Sequence, residues 1–120
     1  MKQYTTPDQT AKLIELGFVP EMRIKGVSTK YINVSIEHET YFDVGKLIEL
    51  LPEKVSDNHG HDAILQMTCF NGEWRVKYAG AYDVGLMIAH ELIDALYYML
   101  IDLLENDLIH LKSNEGAKDN

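Results

Sequence analysis

Apolar and polar positions alternate most sharply in "AILQMTCFNGEWRVKYA", residues 63–79, where Asn71-Gly72 is the favoured pair for a two-residue type I′ turn. Pairing outward from that turn sets Phe70 opposite Glu73, Cys69 opposite Trp74, Thr68 opposite Arg75, Met67 opposite Val76, Gln66 opposite Lys77 and Leu65 opposite Tyr78. The pairing predicts an inner face of Leu65, Met67, Cys69, Trp74, Val76 and Tyr78. The outer face carries Gln66, Thr68, Phe70, Glu73, Arg75 and Lys77. Two further strands are expected at residues 22–26 and 31–37, joined by "GVST", because Ile32, Val34 and Ile36 alternate with Asn33, Ser35 and Glu37.

Helical spacing takes over elsewhere. "TTPDQTAKLIELGF" opens with a capping box, Thr6 with Gln9, places Pro7 at the first helical position and closes at Gly17. Phe18 can then fold back toward Leu13, and Ala11, Leu13, Ile14 and Leu16 form the predicted core side of this helix. In "FDVGKLIELLP", Asp43 is the expected cap, Phe42 and Leu47 the hydrophobic staple and Pro52 the stop. A third helix is predicted from Asp83 to about Asn106. Its opening "YDVGLMI" echoes "FDVGKLI" forty residues earlier and hints at a repeated strand-strand-helix unit.

The elements predict an α+β domain over residues 1–111 in the order αββαββα. A mainly antiparallel four-stranded sheet carries its helices on one face, and a disordered polar tail follows at 112–120. Its expected core is Leu13, Phe18, Ile32, Val34, Ile36, Leu47, Leu51, Leu65, Met67, Trp74, Val76, Leu92, Ile93, Leu96 and Leu100.

The third helix is the anomaly. Between residues 86 and 104 only His90, Glu91, Asp94 and Asp102 are plainly polar, so the apolar coat is far wider than one packed face requires. Either the other helices of the chain cover it, or a second copy does, with Tyr97, Tyr98, Met99 and Ile101 as interface anchors. Glu91, Asp94, Tyr98, Asp102 and Glu105 form one polar stripe, which reads as a solvated face. "HELID" at 90–94 resembles a zincin motif but ends in aspartate where the second histidine belongs.

Composition narrows the function classes. A chain of 120 residues buries enough surface to fold without metal or disulfide, and its one cysteine, Cys69, excludes an intrachain disulfide. Cys69 itself reads as a small core hydrophobe. The start "MKQYTTPDQT" lacks the apolar core of a signal peptide, and acidic residues cut the most apolar segment, so a cytoplasmic location without membrane contact is expected. Net charge is −8. Residues 1–60 carry 7 basic and 9 acidic groups and residues 61–120 carry 4 and 10, a field that opposes general binding to nucleic acid.

Two constellations keep other readings open. Were both strand pairs to join one sheet, Arg23, Lys25, Arg75 and Lys77 would share an open face with Phe70 and Tyr31, a platform suited to single-stranded nucleic acid. Conversely, the acidic half could act as a decoy for a DNA-binding partner. In "DNHGHD" the pair His59 and His61, with Asp62, supplies metal-ligand types in a loop, which leaves a metal-dependent enzyme as an alternative. No phosphate loop, nucleophile elbow or catalytic triad is present in the sequence, and no cofactor is implied.

Taken together, "TPDQTAKLIELGF", "YFDVGKLIELLP", the Asn-Gly hairpin and "ELIDALYYMLIDLL" resemble a group of small uncharacterised proteins encoded in bacterial prophage and mobile-element regions. The resemblance implies a bacterial cytoplasmic or phage setting and assigns no site residue. The function expected is that of a non-enzymatic accessory protein that associates with itself through the last helix, or with a host or phage protein.

Overall fold

The computed structural model of the chain describes residues 2–30, 33–56, 60–80 and 84–106, and of residues 25–30, 33–37 and 84 the backbone alone. Along the chain run α1 (Pro7–Glu15), β1 (Glu21–Lys30), β2 (Asn33–Tyr41), α2 (Val44–Leu50), β3 (Lys54–Ser56), β4 (Asp62–Phe70), β5 (Glu73–Gly80), β6 (Val84–Ala89) and α3 (Leu92–Glu105). The α+β class and the four-stranded antiparallel sheet are as the sequence predicts. The membership of that sheet differs: its order is β3-β4-β5-β6, and β1 and β2 pair only with each other.

Local chemistry explains the elements that were placed correctly. Thr6 accepts from the Gln9 amide at 3.1 Å while Gln9 accepts from the Thr6 amide at 3.0 Å, the reciprocal capping box. At the other end of α1, Gly17 has φ 103, its amide donates to Ile14, and the Phe18 amide donates to Leu13. That is a Schellman closure, and it brings Phe18 and Leu13 together in the core. Asp43 caps α2 through the Lys46 amide at 2.8 Å. The β4–β5 register is the predicted one at all six pairs, because Asn71 (φ 52) and Gly72 (φ 75) both adopt the left-handed geometry that a type I′ turn demands.

The third predicted helix is instead a strand followed by a helix. Val84–Ala89 pairs antiparallel with β5, Ala89 opposite Trp74 and Leu86 opposite Lys77, and α3 starts only at Leu92. Asp83 lies outside the described residues. A continuous apolar run fits a buried helix or a strand equally well by periodicity, and here the uncovered edge of β5 takes it as a partner. The "DVG" echo therefore has two outcomes. Gly45 sits inside α2, whereas Gly85 takes φ 69 at the start of β6.

The first strand pair is also longer than its alternation suggested. Val27 to Thr29 of the predicted "GVST" connection lie within β1, opposite Ile36 to Val34, and a bulge between Ile24 and Gly26 absorbs the irregularity. Tyr31 and Ile32 fall outside the described residues, as do the side chains of Val34 and Ile36 and the 112–120 tail.

The core lies between the inner face of the four-stranded sheet and the helices. Ala63, Val76 and Tyr78 from the sheet are fully buried against Leu13, Phe42, Leu47, Ile93, Leu96, Met99, Leu100 and Leu103. Leu65, Met67 and Trp74 pack at its margin. The Tyr78 hydroxyl donates to the Pro52 carbonyl at 2.7 Å, tying β5 to the segment after α2, and burial pushes that hydroxyl's pKa up. Cys69 is exposed, contrary to expectation, because α3 packs on β5 and β6 and leaves the far end of β4 uncovered.

The amino-terminal segment is stitched to the rest by polar contacts. Thr5 exchanges hydrogen bonds with Phe42, its amide donating to the Phe42 carbonyl and its hydroxyl accepting from the Phe42 amide, and it meets Thr10 in a buried hydroxyl pair at 2.6 Å. The Lys2 amide donates to Glu91 at 2.6 Å, while Lys2 Nζ and Gln9 Nε2 both donate to Asp94 at 2.9 Å. Part of the supposed solvent stripe thus anchors the chain's start. Burial alone would raise the Asp94 pKa, but the bonds from Gln9 and Lys2, with the Lys2 charge, hold it below the ordinary carboxylate value.

Candidate interaction surface

The two faces of the four-stranded sheet differ in cover. On the outer face Phe70 is 71 % exposed, Ile64 59 %, Leu86 50 % and Ile88 49 %. The register orders them into rows: Gln66, Lys77 and Leu86 lie side by side, and Thr68, Arg75 and Ile88 form the next row. An apolar margin on β6 therefore borders a polar, partly cationic strip on β5. Arg75 contacts Glu73 at 3.4 Å across two residues of its own strand.

The edges of this sheet are also unlike. β3 has three residues, carries the exposed Lys54, and ends in polar ties from Ser56 and Lys54 to Asp62 at 2.8 and 3.5 Å. Short, charged edges resist pairing with another chain. β6, at the opposite edge, has six residues without charge or proline, and among the described residues no strand pairs with its outer side.

This arrangement relocates the apolar excess that the sequence assigned to the last helix. In α3, Leu92, Ile93, Ala95, Leu96, Met99, Leu100 and Leu103 are buried within the same chain. Of the four proposed anchors, Met99 is enclosed, Tyr97 and Ile101 are half-buried, and Tyr98 is exposed beside Tyr97 with ring centroids 5.3 Å apart. Burial, and then the neighbouring Tyr98, raise the Tyr97 pKa. The remaining exposed surplus of this segment is Tyr98 on α3 and Leu86 and Ile88 on β6. Alternation of Leu86 and Ile88 with Gly85, Met87 and Ala89 was the available signal for the β6 part.

The cationic candidates are not brought together on one sheet. Arg23 and Lys25 belong to β1, in the two-stranded sheet, while Arg75 and Lys77 belong to β5. Arg23 donates to Glu39 at 2.6 Å and lies over the rings of Tyr4 and Tyr41 at 4.3 and 4.9 Å. The Glu39 bond is the main cause of its raised pKa. These residues, with His38, Thr10, Ala11 and Ile14, line an open groove of about 560 Å³. Ala11 and Ile14 of the predicted core side thus border the groove, and Thr10 is buried in their place.

His61 is exposed and Asp62 is engaged by Ser56 and Lys54, at the base of the β3–β4 connection. His59 lies outside the described residues. Among the described residues, no three His, Cys, Asp or Glu side chains are grouped to hold a metal. In "HELID", His90 Nδ1 approaches the Gly72 carbonyl at 3.3 Å while Asp94 is taken by Lys2 and Gln9. Among the described residues no helix is long and apolar enough to cross a membrane. No protein-family model, curated protein or solved structure matches the chain.

Proposed function

We propose that this chain is a non-enzymatic accessory protein of the bacterial cytoplasm, in a phage or mobile-element setting, that works by associating with a second copy of itself. The contact is made through the β6 side of the four-stranded sheet, not through the core stripe of α3. The observation that carries the reading is β6 itself, an uncharged edge strand whose Leu86 and Ile88 are half-exposed and whose outer backbone has no strand partner among the described residues. Burying what remains exposed of each such side chain is worth about 1 kcal/mol. Apolar contact alone is thus small against the association cost of roughly 4 kcal/mol or more, so backbone pairing has to contribute.

Sedimentation velocity over a concentration series tests this. Wild type should shift from monomer to dimer in the micromolar range, and Leu86→Asp should remain monomeric with the thermal midpoint that dilute, monomeric wild type shows. A wild-type monomer at every concentration would remove the reading.

A further inference from the structure

We infer that two copies join by antiparallel pairing of β6 with β6, centred on Met87, to form one continuous eight-stranded sheet. The inference rests on the self-association reading above and specifies its geometry.

The register dictates which backbone groups are available. A two-residue turn closes on a hydrogen-bonded pair, here Phe70 and Glu73, so the bonded positions between β4 and β5 recur at Thr68–Arg75 and Gln66–Lys77. The backbone groups of Trp74 and Val76 then point the other way, to their partners Ala89 and Met87 on β6. It follows that the N–H and C=O groups of Leu86 and Ile88 point outward, away from β5. Two outward-facing residues with one residue between them allow a symmetric antiparallel strand pair around that middle residue.

Placing a two-fold axis at Met87 satisfies both. Leu86 of each copy exchanges its N–H and C=O with Ile88 of the other, which makes four new hydrogen bonds. On the outer face this sets Leu86 beside Ile88 of the second copy. On the inner face Met87 meets its own equivalent, and regular strand geometry ends beyond Leu86, where Gly85 takes φ 69 and the β5–β6 register shifts. β6 carries no charge, and no like charges are therefore opposed within the strand pair. At the opposite edge β3, three residues long and charged, pairs with only 62–64 of β4, and the stretch of β4 beyond it carries polar Gln66 and Thr68 between its apolar residues.

The test uses the whole chain with Cys69→Ser, since the exposed Cys69 thiol would otherwise cross-link. Residues opposed at a non-hydrogen-bonded position have Cα atoms about 4.5 Å apart, within the range that a disulfide spans. Met87→Cys should therefore give a covalent dimer on mild oxidation, while Phe70→Cys, at the hairpin end of the outer face, should not. Ile88→Pro removes an outward N–H and none of the bonds to β5, and Met87 before it is already extended. It should weaken self-association by about tenfold or more through loss of the two symmetry-related bonds, leaving the thermal midpoint in place at concentrations where wild type is monomeric. Ile88→Lys, an edge charge, should act in the same direction without touching the backbone.

If wild type sediments as a dimer but cross-links at Phe70→Cys and not at Met87→Cys, the strand pairing and its place on β6 are both wrong, and only self-association itself survives. If wild type is monomeric and Met87→Cys stays uncross-linked, both are overturned.

Discussion

The inner and outer faces of one sheet both carry apolar side chains and treat them differently. Val76 and Tyr78 on the inner face are fully enclosed by α2 and α3, whereas Ile64, Phe70, Leu86 and Ile88 on the outer face retain about half or more of their exposure. Because strand side chains alternate, a single register decides both outcomes. What distinguishes the faces is the placement of the helices. Inner residues should govern folding, and those on β6 should govern association.

Substitutions can break that contrast, beginning with the largest effect. Tyr78→Ala should destabilise the chain by about 3–5 kcal/mol in chemical denaturation, since it empties an enclosed aromatic site. Tyr78→Phe isolates the hydroxyl and should cost about 1–2 kcal/mol, the consequence of leaving the Pro52 carbonyl without its donor.

Asp94→Asn should cost roughly 1 kcal/mol at neutral pH, a value already reduced for the partial exposure of Lys2. Its sign with pH is fixed by the lowered pKa of the folded carboxyl. Its contribution is complete above the unfolded value, near pH 4, and is lost as pH falls through the folded value. Wild type should thus lose more stability than Asp94→Asn as the pH falls below about 4, measured by denaturation midpoints across that range. On the outer face, Phe70→Thr should alter unfolding free energy by less than about 0.5 kcal/mol. A loss of several kcal/mol there would show that the outer face is covered within the monomer.

How much of this was legible in the sequence depends on how local the determining chemistry is. The Asn71-Gly72 turn fixes its own geometry, so the β4–β5 register could be read residue by residue, and the Thr6–Gln9 box and Gly17 closure likewise delimit α1. The 84–89 segment could not be settled in that way, because the same apolar run satisfies a helix until the unpaired edge of β5 is taken into account. Nor did any spacing link Lys2 to Glu91 and Asp94, which only the folded chain brings together. The apolar excess of residues 86–104 is visible in the sequence, but only the fold divides it between a strand, β6, and a helix, α3.

Amide hydrogen exchange at β6, followed from low micromolar to near-millimolar protein, tests the central claim most directly. The amides of Met87 and Ala89 bond to β5 and should be protected at every concentration, whereas those of Leu86 and Ile88 should exchange rapidly in the monomer. Protection at Leu86 and Ile88 should rise with concentration, in step with the dimer fraction. Rapid exchange at both residues, under conditions where the protein sediments as a dimer, would contradict that claim.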